Sequence, residues 1–194
     1  MYPSLEKRLI QYKERLSKRR EAQSGKIRWF DLQWGRNPSL FNNRKLICRF
    51  KASQNTFSLD ESEYYSSADT TIVTLKEKSV QEYDLKFILA LLNSRLLDFY
   101  FKSYGKLMDY RFEYYPGPVG QLRIKKAKDQ QTFIKLVDQI LAAKKDEPTA
   151  DTSELEKQID HLVYKLYQLT YNEVKIIDPE FALTEQEYLT IKID

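Results

Sequence analysis

Between Tyr83 and Phe101 the chain reads YDLKFILALLNSRLLDFYF. Leu85, Leu89, Leu92, Leu96 and Phe99 recur at steps of three and four, with a second row through Phe87, Ile88, Leu91, Leu97 and Phe101. Only a narrow polar strip is left, so the spacing predicts a helix buried over most of its girth, the core helix of a folded domain. The stretch is long enough to cross a bilayer, but Lys86, Asn93, Ser94, Arg95 and Asp98 lie inside it. Charges are costly in hydrocarbon, so the expectation is a water-facing protein with no membrane partner.

With 194 residues, 42% hydrophobic and 13% aromatic, the chain can bury one sizeable core. The single cysteine, Cys48, excludes an internal disulfide and a cysteine-rich zinc site. With no signal-peptide pattern at the N-terminus, a cytoplasmic location is expected, with Cys48 a buried filler in a strand. The net charge of +4 hides a polarised chain. Residues 1–60 hold 14 Lys and Arg against 5 acids, residues 61–126 hold 10 against 9, and residues 127–194 hold 8 against 14. A polyanion partner for the first third is the direct implication.

Tyr2 to Glu21 places Leu5, Leu9, Tyr12 and Leu16 on one face among lysines and arginines, with Ser4 as N-cap, and predicts one amphipathic basic helix. It is under way from residue 2, as if cut from something longer. From Lys26 to Phe57 seven basic residues face one acid, Asp31, and are interleaved with Trp29, Phe30, Trp34, Phe41, Phe50 and Phe57. Cations neutralise phosphate, arginine also reads guanine edges, and loop amides read adenine, so this texture suits a nucleic-acid surface. Trp29 and Trp34 are expected in the core. Lys45–Phe50, Thr70–Leu75, Tyr110–Tyr115 and Leu122–Ile124 read as strands, with Lys102–Lys106 a loop at the exit of the buried helix and Pro116-Gly117-Pro118 a stop.

Beyond Asp129 the pattern is helical. Phe133, Leu136, Val137, Ile140 and Leu141 share one face, and Leu155, Ile159, Leu162, Val163, Leu166 and Leu169 another, with a break at Glu147-Pro148-Thr149. Thr170 with Glu173 and Thr184 with Glu187 fit capping boxes of two shorter helices. A phosphate loop, a GxSxG elbow, HExxH and a second histidine to accompany His161 are all absent from the sequence. Glu173-Val174-Lys175 is an ExK string, but it sits on a predicted helix without an upstream Pro-Asp, which argues against a nuclease centre. No catalytic or metal-ligating residue is assigned, and the chain is read as non-catalytic.

Six segments carry a resemblance: WFDL (29–32), KLICRF (45–50), LALLNSRLLDFYF (89–101), PVGQLRI (118–124), FIKLVDQIL (133–141) and IDHLVYKLYQLTYNEVKII (159–177). In this order they resemble the C-terminal target-recognition domain of TaqI-like adenine-specific DNA methyltransferases and single-chain type II restriction-modification enzymes. The chain departs from that pattern at Gln168, where glycine is commoner, and at Arg123, where proline usually precedes the isoleucine. The resemblance implies a domain that reads duplex DNA for a methyltransferase or endonuclease catalytic domain, in the same polypeptide or a partner subunit. S-adenosylmethionine, and magnesium where a nuclease is present, would belong to that catalytic part. The FxGxG and NPPY strings of a methyltransferase do not occur in this sequence.

The expected fold is therefore α+β, a mixed or antiparallel sheet packed around a long buried helix with a helical C-terminal part. Its divisions are a basic helix (1–24), a recognition core (25–126) and a helical region (127–194). Arg28, Arg36, Arg44, Lys45, Lys51, Lys102, Lys106 and Arg111 are expected to contact phosphate or base edges, with Asn42, Asn43 and Tyr104 as readers. The rival reading is a protein-docking module that presents an apolar stripe on its C-terminal helix pair.

Overall fold

The computed structural model describes residues 3–33 and 35–192. Contacts divide the chain into two compact units, Met1–Pro38 and Ser39–Asp194.

In the first unit the predicted basic helix is broken. It forms α1 (Pro3–Leu9), a single 3-10 turn (Ile10–Tyr12), α2 (Lys13–Ser17) and α3 (Arg20–Gln23). Arg19 is the cause of the last break. Its backbone is extended, and its guanidinium turns back to donate to the carbonyls of Leu16, Trp29 and Asp31 at 2.9–3.0 Å. Leu5, Ile10 and Tyr12 are exposed, so the apolar face of this segment is not consumed within its unit. Trp29 is half-buried, edge-on to Phe30, rather than a core residue, and Trp34 lies outside the described residues.

The second unit opens with a helical turn, α4 (Ser39–Asn42), then β1 (Lys45–Arg49), β2 (Lys51–Ala52), β3 (Ser58–Asp60) and β4 (Thr70–Val73). It continues through α5 (Leu85–Asn93), α6 (Arg95–Tyr104), β5 (Leu107–Met108), β6 (Arg111–Glu113) and α7 (Pro116–Val119). Four helices close it: α8 (Gln131–Asp146), α9 (Ser153–Leu166), α10 (Tyr171–Ile177) and α11 (Glu185–Thr190). The strands make two antiparallel sheets, ordered β3-β1-β4 and β2-β6-β5. Phe50 joins them, its N–H donating to Asp69 at 2.9 Å and its carbonyl accepting from Tyr114 at 2.8 Å. The α+β class holds, with two small sheets in place of one. Leu46 and Cys48 alternate inward from β1, and burial pushes the Cys48 thiol up to about 12, which keeps it protonated.

The long buried helix is two helices. Ser94 is extended (φ −66°, ψ 151°), ending α5 and capping α6. Short polar side chains at Asn93 and Ser94 compete with the helical ladder for backbone partners, and here every such bond is made. The Ser94 hydroxyl donates to Leu91 O at 2.6 Å and accepts from Leu97 N at 3.3 Å. Asn55 donates to Leu92 O at 2.6 Å, while Asn93 exchanges hydrogen bonds with both backbone groups of Phe57. The amide of Arg95 donates to Asp160 of α9 at 2.8 Å. The break also rotates Phe99 outward to 46% exposure, although its spacing placed it with the core row.

Three further expectations change. Lys102 to Tyr104 form the last turn of α6 rather than a loop, Leu122–Ile124 is irregular, and Pro116-Gly117-Pro118 opens a helical turn with proline at its tolerated first position. The C-terminal helices share the core of the sheets: Phe133 of α8 meets Phe87 of α5 edge-on at 5.1 Å, and Val163 and Tyr164 of α9 are buried in the same cluster. Both capping boxes form. At the end of α9, Gln168 N–H donates to Lys165 O and Leu169 N–H to Tyr164 O, the paired bonds of a Schellman turn. That turn requires the left-handed region, and Gln168 adopts φ 61°. Glycine would adopt this φ without the steric cost that a side chain carries. Gln168→Gly should raise stability by about 1 kcal/mol, read as a rise in urea midpoint.

Arg95 ties α6 to the helical part, with Nη1 at 2.8 Å from Asp178 Oδ1 and Nε at 3.5 Å from Asp160 Oδ2. Burial pushes the Asp160 carboxyl from 3.8 up to about 7, against the pull of the Arg95 amide and guanidinium. An acid with a raised folded pKa holds its proton in the folded state after the unfolded chain has lost it. Its contribution to stability is therefore present at low pH and declines as pH rises from about 4 to about 7. Asp160→Asn keeps the acceptor and removes the titration. Its stability relative to the parent should rise by about 3 kcal/mol across that window, measured by urea unfolding at both ends.

Candidate nucleic-acid interface

In β-strands alternate side chains share a face, and the register of the second sheet sets which cations meet. Lys51 lies opposite Glu113, and Met108 opposite Arg111. Lys51, Lys106, Met108, Arg111 and Glu113 thus fall on one face, while Ala52, Leu107 and Phe112 fall on the other. Phe112 is anchored 6.4 Å from the Phe101 ring. Glu113 is buried beneath the two lysines, 3.0 Å from Lys106 and 3.8 Å from Lys51. One acid therefore offsets one of three cations. Arg111 makes no ion pair among the described residues and lies 5.0 Å over the Tyr110 ring. Arg49, at the end of β1, is exposed and likewise without an ion pair among the described residues. Tyr115 stands half-exposed beside Phe50 at 4.3 Å, with Lys51 5.9 Å from the Phe50 ring.

The remaining expected residues lie on other elements. Arg28 and Arg36 belong to the first unit, where Arg28 pairs with Asp31 at 2.7 Å and covers Phe30 at 4.4 Å. The Arg28 hydrogen bond holds the Asp31 carboxyl below the ordinary range. Arg44 pairs with Glu61 at 2.7 Å. Asn42 accepts from the Tyr65 hydroxyl, and Asn43 donates to Ser39 O at 3.1 Å. Lys102 bonds Asp98 at 2.5 Å on the wall of a cleft of ≈ 710 Å³ that Gln54, Asn93, Arg95 and Phe99 also line.

One expected contact is corrected by burial, and a second is half-buried with an internal partner. Lys45 is 0% exposed, with its ammonium 2.6 Å from both Phe41 O and Asp60 Oδ2. Burial alone would raise the Asp60 carboxyl, but Lys45 and the amides of Ser62 and Tyr64 hold it lower than usual. Lys45 is a structural cation locking α4 to the first sheet. Tyr104 turns its ring onto Tyr100 and Phe101, and its hydroxyl donates to Pro118 O at 3.0 Å. Burial pushes that phenol up to about 12, and the side chain fastens α6 to α7.

The expected contact set omits Leu107, Met108, Tyr110 and Tyr115, and Arg49 too, although Arg49 is one of the seven basic residues between Lys26 and Phe57. The hairpin was hidden because its turn, Asp109-Tyr110, carries no glycine or asparagine. The alternation of large residues from Leu107 to Phe112 was the available signal.

Residues 4–115 match the family described as TaqI-like C-terminal specificity domain. The chain belongs to that family. The match takes in the first unit, both sheets, the α5–α6 break and the hairpin, and ends at Tyr115, so the Ile159–Ile177 motif lies outside it. Membership supports a target-recognition role in restriction and modification. No curated protein matches the chain. Among the described residues of this specificity domain, no helix is long and apolar enough to cross a membrane.

Lys45→Ala would strand Asp60 in the interior without its cation. It should cost about 3–5 kcal/mol, whereas Arg111→Ala should stay within about 0.5 kcal/mol, both read from urea unfolding.

Proposed function

We propose that this specificity domain grips duplex DNA through the cationic face of its second sheet and positions a target for a methyltransferase or endonuclease domain. The observation that carries this reading is the convergence of Lys51, Lys106 and Arg111 on one sheet face, with Tyr110 beside Arg111 and the exposed Arg49 two residues before Lys51 in the chain. Cations at strand spacing neutralise neighbouring phosphates, and phosphate contacts fix register while side chains at base edges select sequence. A cofactor for methyl transfer would belong to the catalytic domain, where the target base would be flipped.

The docking-module alternative expected an open apolar stripe on the C-terminal helix pair. Instead Phe133, Leu136 and Val137 of α8 and Ile159, Val163 and Leu166 of α9 are buried in the common core. That spends the surface a docking partner would need, and favours the DNA reading.

The test is a salt titration of binding to random-sequence duplex, comparing the parent with Arg49→Gln, Lys106→Gln, Arg111→Gln combined. Lys51 is kept so that buried Glu113 retains a cation. The log–log slope should fall by about 0.9 for each phosphate contact removed. An unchanged slope would move the DNA surface elsewhere on the chain.

A further inference from the structure

The tip of the β5–β6 hairpin is built unlike the rest of the surface. Leu107 is 57% exposed, Met108 38% and Tyr110 73%, three large side chains within four residues. Leu107 and Met108 lie on opposite faces of the hairpin with Tyr110 at its apex, so the tip is apolar on both sides, and exposed apolar groups gathered in this way mark contact sites where single ones are ordinary. The tip is also stiffly mounted. Its inner strand, β6, is central in its sheet, Phe112 packs toward Phe101, and Glu113 N–H donates to Lys106 O at 3.0 Å. Asp109 sits at φ 58°, a conformation that costs a non-glycine residue free energy, and it is the first of the two turn residues that put Tyr110 at the apex.

Charge decides what such a tip meets. Lys106 and Arg111 flank it, with Lys51 on the same sheet face, against Asp109 at the turn and Glu113 buried beneath the lysines. Tyr64 and Tyr65 are also exposed rings, but they lie among Glu61, Glu63 and Asp69, where phosphate would be repelled. Tyr12 and Tyr115 also have cations near them, but at 44% and 47% exposure they project less than Tyr110 at 73%. Arg111, 5.0 Å over that ring, is placed to follow it and reach a flanking phosphate.

We propose that the hairpin is a wedge: Tyr110, backed by Leu107 and Met108, enters between neighbouring base pairs of duplex DNA held by the cations of the same sheet. This rests on the DNA reading above and adds to it a deformation of the duplex. Apolar side chains inserted at a base step unstack it at a cost that is smallest where the step is already weakened. An aromatic ring recovers part of that cost by stacking. The wedge therefore selects deformable steps, independently of any hydrogen bond to a base edge.

The experiment uses the full chain with two short duplexes of one sequence, fully paired or carrying a single mismatch, and a 2-aminopurine beside the variable position. The parent should bind the mismatched duplex roughly tenfold more tightly and raise the 2-aminopurine fluorescence. Tyr110→Ala should bind the two duplexes equally and leave fluorescence low, with the salt slope of the parent. Tyr110→Phe should behave as the parent, since the ring and not the hydroxyl stacks. The side chain is largely exposed, so both variants retain the fold. Equal binding of both duplexes by the parent overturns the wedge and leaves the DNA grip standing, as does a preference surviving in Tyr110→Ala or lost in Tyr110→Phe. Failure of the parent to bind either duplex at low salt overturns the DNA reading and the wedge with it.

Discussion

The second unit is organised around a helix break whose polar groups are satisfied from three directions. At Ser94 the chain leaves helical geometry inside the hydrophobic core, where an unpaired amide or carbonyl costs on the order of 1–3 kcal/mol. The β2–β3 connection answers through Asn55 and Phe57, the α9 helix through Asp160, and the serine through its own hydroxyl. Each bond fixes a different segment against the same two helices. Loosening this joint would therefore disturb the sheets and the C-terminal helices together, although the family match ends at Tyr115.

Ion pairs sort the cations of this chain into internal and external ones. Lys45 is consumed by Asp60, Arg95 by Asp160 and Asp178, and Lys102 by Asp98. Only Lys45, at 0% exposure, is withdrawn from water and needs its partner for stability, whereas Arg95 and Lys102 keep 48% and 36% of their side-chain surface exposed and are engaged by ion pairs at the surface. On the second sheet the balance differs, because a single buried carboxylate faces two lysines and Arg111 stands over a tyrosine ring. A surplus of positive charge on a rigid strand surface is what a phosphate backbone can use.

Much of the fold was legible in the pattern of apolar residues. The rows along α5, α8 and α9 were found from spacing, β1 and β4 from β-branched runs and alternation, and both capping boxes from threonine followed by glutamate. The site was legible only in part. Lys51, Lys106 and Arg111 were named from charge, but so was Lys45, since exposure cannot be told from residue type when a lysine alternates with core residues in one strand. The hairpin escaped because Asp109 adopts the left-handed region without the glycine that normally signals it.

What the sequence by itself determined is the set of surfaces that must be hidden: the apolar helical rows, the inward residues of β1, and the caps that start the last two helices. These follow from local periodicity and hydrogen bonding, which need no knowledge of distant residues. Tertiary structure alone decided where the central helix breaks, which cations are internal, and that Lys51 and Lys106 share Glu113. Those outcomes depend on partners tens of residues away, such as Asp160 for Arg95 and Glu113 for Lys51. A buried charge or a freed amide is stable only where folding brings its partner within hydrogen-bond reach.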